Sequence, residues 1–366
     1  EYHVVTRREN FEVGRLQVQA IPVNHPGGCE AFLLESATGI LAYSGDTGPT
    51  DELWEAINQR GASVAAIVVE CSFPNRLEAL AAEMLGTEDA IFASSGTQSN
   101  LLALLTHCGR GDEYIVGQHA HTFMYEGGGG AVLGSIQPQP IEFEADGTLD
   151  LDKVKAAIKP DDFHFARTRL LALENTLGGR VVPQAYLKRA RAFTREHGLS
   201  LHLDGARAFN AAVAQEIPLH AITSLFDSVS LCLSKGLGAP VGSVLCGDEA
   251  YIQEATKWRK MVGGGMRQAG VLAAAGTFAL EHNIKRLHED HDNAAWLAGQ
   301  LRTLSSLVES DASVRQQSNM VFVDLAANIA RRLPGFLRGR GILILPLNPL
   351  RLVLHKDCLL YTSPSP

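Results

Sequence analysis

Lys235 lies in SVSLCLSKGLGAPVG, residues 228–242, where an alternating apolar run ends in a serine and gives way to small residues. Beside a glycine turn a lysine can be an ordinary solvated residue. Buried among small residues, its amine loses its proton more easily, and a deprotonated amine is a nucleophile toward an aldehyde. Three other stretches bear on the choice. Asp204 closes the apolar run of LSLHLDGARAFN. There it is either a helix N-cap or a carboxylate at the carboxyl end of a strand, where open α/β sheets bind ligands. FASSGTQSN sets a strand, a small-residue turn and a helix start in sequence. The N–H groups at Gly96 and Thr97, the helix dipole and the Thr97 hydroxyl suit a phosphate, although such turns also simply begin helices. His121, in GQHAHTFMYEGGGG, offers a flat ring after the EYIVG run, with His119 a rival for the part.

In chain order the four features describe a phosphate cup, a ring stacker, a pyridine partner and a covalent lysine, which is the outline of a pyridoxal phosphate (PLP) site. Such a site needs strands that end together. From Leu77 onward, the helical runs LEALAAEML and TQSNLLALLTHC are set among the short apolar runs AIFASSG, EYIVGQ, RLLALEN, LSLHLDGA, SVSLCLS and GSVLCG. Alternating β and α predicts a mostly parallel, doubly wound sheet. Residues 248–305 read as helical, and the chain then returns to α+β through NMVFVDL, a helix, GILILP and LRLVLH. Residues 11–72 have another texture: LQVQAIPV, AFLLES, GILAYSG and AAIVVECS read as strands, with DELWEAINQRG as an amphipathic helix that Asp51 can cap.

The 366 residues are 46% hydrophobic and 20% charged, a globular composition for one to three domains. A net charge of −8 provides no basic face for nucleic acid. No apolar run reaches membrane length, and EYHVVTRREN has no signal core, so a cytoplasmic protein without nucleic-acid or membrane partners is expected. Six cysteines without a CxxC pair point to neither a zinc ribbon nor a disulfide frame, and Cys232 and Cys246 read as small core residues.

From about Asn75 to His355 the chain resembles the low-specificity L-threonine aldolases, which are fold-type-I PLP enzymes. SSGTQSNLLALL, GDEYIVGQ, GAVLGSIQPQPI, KPDDFHFARTRLL, LHLDGARAFNAAV, CLSKGLGAPVGSVL, WRKMVGGGMRQAGVLAAAG and NMVFV carry the likeness. It implies that Lys235 holds PLP covalently, that Asp204 pairs with the pyridine nitrogen with Arg207 nearby, and that Gly96 and Thr97 take the phosphate. It implies further that His121 stacks on the ring and that Arg267 and Arg351 grip the substrate carboxylate. His164 matches a histidine near the substrate hydroxyl, so His121 and His164 both stand as candidates for the catalytic base. The implied reaction is retro-aldol cleavage of a β-hydroxy-α-amino acid, L-threonine or L-allo-threonine, to glycine and acetaldehyde. The implied assembly is a homotetramer with sites at dimer interfaces.

Residues 1–74 do not resemble the start of that family. IPVNHPGGCEAFLLES, ILAYSGDTGPTDELWEAI and IVVECSFPN resemble the metallo-β-lactamase-fold class II cyclic-nucleotide phosphodiesterases, in which His25 and Asp46 would be metal ligands. The HxHxDH-type ligand cluster of that fold occurs nowhere in the chain, so the two are vestigial candidates and no metal centre is expected. The expected fold is therefore α/β: a fold-type-I PLP-dependent transferase-like large domain (75–285) and a smaller C-terminal α+β domain (286–355), preceded by a strand-rich metallo-β-lactamase-like fragment (1–74). KDCLLYTSPSP breaks every earlier pattern, and residues 356–366 read as a non-native tail. The two textures meet near SFPNRLEALA, which reads as the join of a chimera. The alternatives to the aldolase are a metal-dependent 3',5'-cyclic-nucleotide phosphodiesterase and an inactive chimera.

Overall fold

The computed structural model describes residues 10–23, 30–44, 51–68, 74–304 and 314–356. His25, Asp46 and the tail beyond residue 356 lie outside the described residues. Two compact units divide the chain, 1–74 with 266–271 and 75–265 with 272–366.

The first unit holds one sheet of five strands in chain order: β1 (Asn10–Val13), β2 (Leu16–Pro22), β3 (Glu30–Ser36), β4 (Gly39–Tyr43) and β5 (Val64–Val68). All pairs are antiparallel except β4 with β5, which are joined through the helix Asp51–Arg60. Leu53 and Ile57, one helical turn apart, pack that helix onto Ile21, Ala31, Leu33, Ile40 and Ala42.

In the second unit β6 (Asp89–Ala93), β7 (Asp112–Gly117), β8 (Gln137–Ile141), β9 (Arg167–Glu174), β10 (Ser200–Asp204), β11 (Ser228–Cys232) and β12 (Ser243–Gly247) form a seven-stranded sheet. Its order is β6-β12-β11-β10-β9-β7-β8. The strands of this sheet run parallel apart from β12, which is antiparallel to both neighbours. A parallel neighbour needs a crossover of roughly a dozen residues or more. Residues 233–242 are too few for one, so the chain folds straight back. β7, β11 and β12 are buried at every residue, so the few polar side chains within them, such as Glu113, Ser228 and Ser230, are buried too. QPQPI, which lacks a strand pattern, forms β8; Pro138 and Pro140 are tolerated because β8 is the sheet edge.

The chain ends in a three-stranded antiparallel sheet, β13 (Val314–Gln317), β14 (Met320–Val323) and β15 (Leu350–Val353). Ala294 and Ala298 of the helix Leu287–Thr303 cover it, together with Ile329 and Leu333 of the helix Ala327–Arg338. GILILP, expected to be strand-like, is irregular: no strand among the described residues pairs with it, and Leu343 and Leu345 are 78% and 70% exposed. No helix among the described residues is long and apolar enough to cross a membrane.

Leu170, in β9, is fully buried among Leu104, Tyr114, Ile136 and Ala172. Truncating such a leucine costs about 2–5 kcal/mol, as lost transfer energy plus a cavity. Leu170→Ala is therefore expected to lower the denaturant midpoint sharply, as measured by fluorescence or circular dichroism.

Candidate active site

Beyond the carboxyl ends of β9, β10 and β11 opens a pocket of about 800 Å³ lined by His121, Glu174, Asp204, Arg207, Lys235 and Arg351, with Arg180, Arg315 and the Phe143 and Phe322 rings also in its wall. Each polar member arrives on a defined element. Lys235 stands on the short return between β11 and β12. Its carbonyl accepts the Gly238 N–H at 2.9 Å, and the Leu233 N–H reaches Gly242 O at 3.0 Å, so the lysine backbone is pinned on both sides.

Asp204 ends β10 and is 4% exposed. Asn100 Nδ2 donates to Asp204 Oδ2 at 2.8 Å, and the Ala206 N–H donates to Oδ1 at 3.1 Å. The next residue must pass close to β11, because a Cβ on Gly205 would lie 2.9 Å from Ser230 O. Only glycine fits there. In the parallel register of β9 and β10, Glu174 lies directly beside Asp204. Burial, and then the neighbouring Asp204 charge, push the Glu174 carboxyl up to about 7.

His121 opens the short helix His121–Met124, and its N–H donates to Glu174 Oε2 at 2.9 Å. Its Nδ1 is 2.8 Å from Glu126 Oε1, which also accepts from Asn100 Nδ2 at 2.9 Å. The bond to Glu126 holds the half-buried imidazole above its ordinary range against the pull of desolvation. Burial raises the Glu126 carboxyl, and the bonds from His121 and Asn100 oppose it. Arg207 is brought down to about 10 by burial and then by the nearby Arg351 charge, and its Nε has no partner among the described residues.

The residues singled out from sequence are distributed unevenly. Lys235, Asp204, His121, Arg207 and Arg351 line the pocket, as does His119. Gly96 and Thr97 begin the helix Gly96–His107, where the Ser95 side chain caps by accepting the Gln98 N–H, and neither residue lines the pocket. A Cβ on Gly96 would lie 2.7 Å from Cys232 Sγ, so this turn presses on the end of β11. His164 is also absent from the lining: it is exposed, with Nδ1 2.6 Å from Asp162 Oδ1 and its ring against Phe163. Arg267 falls in the 266–271 segment of the other unit.

The lining residues Arg180 and Arg315, and the hydrogen-bonded set Glu174, Asn100 and Glu126, were not anticipated. Glu174 repeats the pattern that marks Asp204, an acid closing an apolar strand, and that rule applied to RLLALEN finds it. Asn100 is a poor helix former placed mid-helix, and Glu126 is the acid just before GGGG. Removing the Glu126 charge removes the cause of the His121 shift. In Glu126→Gln the imidazole is expected to titrate at lower pH than in the wild type, as followed by its NMR shifts against pH. An unmoved midpoint would contradict the pairing.

The beta-eliminating lyase family model matches residues 44–327, starting inside the N-terminal unit. The low specificity L-threonine aldolase of Escherichia coli K12 is 58% identical over 284 residues, covering 77% of this chain and 84% of that protein. The low-specificity L-threonine aldolase 1 of Arabidopsis thaliana is 39% identical, covering 84% and 88%. Among solved structures, the Leishmania major threonine aldolase superposes with a TM-score of 0.66 at 21% identity, covering 85% of this chain and 92% of that one. A putative L-allo-threonine aldolase of Listeria monocytogenes gives 0.65 at 22%, covering 86% and 90%, and these two likenesses establish the fold. With a family model over most of its length and a relative at 58% identity, the chain belongs to the beta-eliminating lyase family, among the low-specificity L-threonine aldolases.

Proposed function

We propose that this protein is a PLP-dependent aldehyde lyase that cleaves L-threonine and L-allo-threonine to glycine and acetaldehyde. The observation that carries the reading is one pocket into which strand ends bring an amine, Lys235, and a buried carboxylate, Asp204. The donor set fits the cofactor: the amine suits its aldehyde, the carboxylate its ring nitrogen and the His121 ring its face, while the buried, unpartnered Nε of Arg207 is left with a proton to donate. Bound there, PLP would supply a carbonyl carbon for amine attack and an electron sink for the bond that breaks.

The remaining work falls to side chains. Lys235 would hold the cofactor covalently, and Asp204 would hold the ring nitrogen protonated. The first-turn N–H groups at Gly96 and Thr97, at the positive end of a 12-residue helix, would take the phosphate. Arg351 would bind the substrate carboxylate, since a guanidinium fork matches it, and the same role is proposed for Arg267. The bond from Glu126 occupies His121 Nδ1, which leaves Nε2 to accept the β-hydroxyl proton. His164 stands outside the pocket lining, so the proton-accepting role is proposed for His121 alone. A homotetramer in the cytoplasm is proposed with it. The phosphodiesterase-like reading of residues 1–74 rests on the likeness of its sequence runs alone.

Wild-type protein mixed with PLP is expected to develop a visible absorbance band and to release acetaldehyde from L-threonine; Lys235→Ala is expected to lose both. His121→Phe is expected to lower kcat by about 10²–10⁴, the usual worth of a positioned general base, with the band retained. Wild-type kinetics in His121→Phe would remove it from the chemistry.

A further inference from the structure

A row of polar side chains runs between the sheet and the helix Gly96–His107. Asn100 and His107, two turns apart, share one helix face, and His202 and Asp204 share one face of β10. Ser228 on β11 is the register partner of His202. His107 Nε2 lies 2.7 Å from Ser228 Oγ, and Ser228 Oγ lies 2.8 Å from His202 Nδ1. His202 Nε2 lies 3.4 Å from Asn100 Oδ1, and Asn100 Nδ2 reaches Asp204 Oδ2 and Glu126 Oε1 at 2.8 and 2.9 Å. Asn100, His202 and Ser228 are buried, and none of the four residues from His107 to Asn100 lines the pocket.

Counting protons gives every bond a direction. Both amide protons of Asn100 go to carboxylates, which as anions only accept. Asn100 Oδ1 must then accept, so His202 carries its proton on Nε2. Its bare Nδ1 takes the Ser228 hydroxyl proton, and Ser228 Oγ takes the Nε2 proton of His107. Burial keeps both rings neutral: His202 is drawn down to about 3, with the neighbouring His107 assisting and Asp204 and the Ser228 backbone opposing. His107 is drawn down to about 4, opposed by Asp227. Every donor in the row thus points toward Asp204 and Glu126.

We propose that Asn100 is a positioning residue: oriented by the His107–Ser228–His202 relay, it clamps the Asp204 and Glu126 carboxylates together and so couples the partner of the cofactor ring to the group that sets the His121 tautomer. Its catalytic consequence rests on the PLP reading, whereas the proton directions do not. Neither carboxylate can move without breaking a bond to the one amide.

The test uses holoenzyme of the wild type, Asn100→Leu and the near-isosteric Asn100→Asp, which keeps the proposal readable if the leucine variant does not fold. Three quantities are followed: the pH midpoint of the visible band, the PLP dissociation constant and the ¹⁵N shifts of His202. In the wild type His202 should be neutral and Nε2-protonated. In both variants the midpoint should move by at least about half a pH unit. The dissociation constant should rise about tenfold, the scale of one charge-assisted hydrogen bond. In Asn100→Asp, His202 should gain a second proton, because a carboxylate then faces Nε2. A filler role for Asn100 would change thermal stability and leave midpoint and dissociation constant unmoved, and that result overturns the proposal. Nδ1-protonated His202 in the wild type overturns it as well. Wild-type protein that takes up no PLP defeats the functional reading instead, and the His202 tautomer then decides the relay alone.

Discussion

The site depends on keeping three carboxyl groups, Asp204, Glu174 and Glu126, close together at the ends of β9 and β10. Water solves little of this problem, since Asp204 is 4% exposed and the Glu126 side chain equally so. Hydrogen-bond donors must come from the protein, and they come from Asn100, the Ala206 N–H, the His121 N–H and the His121 ring. Each donor constrains an element. Asn100 fixes the rotation of the helix Gly96–His107 over the sheet, and His121 fixes where the chain leaves β7. Glu174 has the least compensation and meets the Asp204 charge across the strand register, so it titrates near 7. A carboxyl raised in this way favours folding fully below its ordinary range, and that contribution is lost as pH rises through about 7. At neutral pH most of the stabilising contribution of Glu174 is therefore gone.

The return between β11 and β12 is a second constraint. Ten residues cannot carry a crossover helix, so β12 must run antiparallel and the chain must turn within the site. The Leu233–Gly242 and Gly238–Lys235 backbone bonds close this turn. Leu237 and Ala239 bury into the core beneath it. A lysine held on so tight a loop keeps its backbone position and retains freedom only along its own stem. That suits an amine that must be released and recaptured.

Much of this was legible in sequence because polar residues ending apolar strands are conspicuous. Asp204 and Lys235 both show this pattern, and both line the pocket. Glu174 shows it too, yet the residues after it, NTLGG, lack the small-residue turn that made the others stand out. Asn100 was hidden for a different reason. Its partners Asp204 and Glu126 are distant in sequence, and no local spacing encodes a helix rotated onto a sheet face. β8 escaped because prolines normally exclude strands, and only its edge position, a tertiary property, permits them. GILILP misled in the opposite direction: alternating apolar residues specify a strand only when a partner edge is available. His164 was assigned from family resemblance alone, and in a single chain it sits at the surface with Asp162.

The charge balance of the pocket connects these local features. Five cationic side chains, Arg180, Arg207, Lys235, Arg315 and Arg351, face it, against two carboxylates, Glu174 and Asp204. Arg315 is paired outward with Asp324, but Arg207 has a buried Nε without a partner among the described residues and is drawn down to about 10 by burial and Arg351. Two guanidinium groups lining one pocket repel each other, and an anion bound beside them would offset the repulsion. A carboxylate or a phosphate bound there would offset the excess of cations over carboxylates in the lining. The charge balance of the lining thus favours a ligand that carries an anionic group.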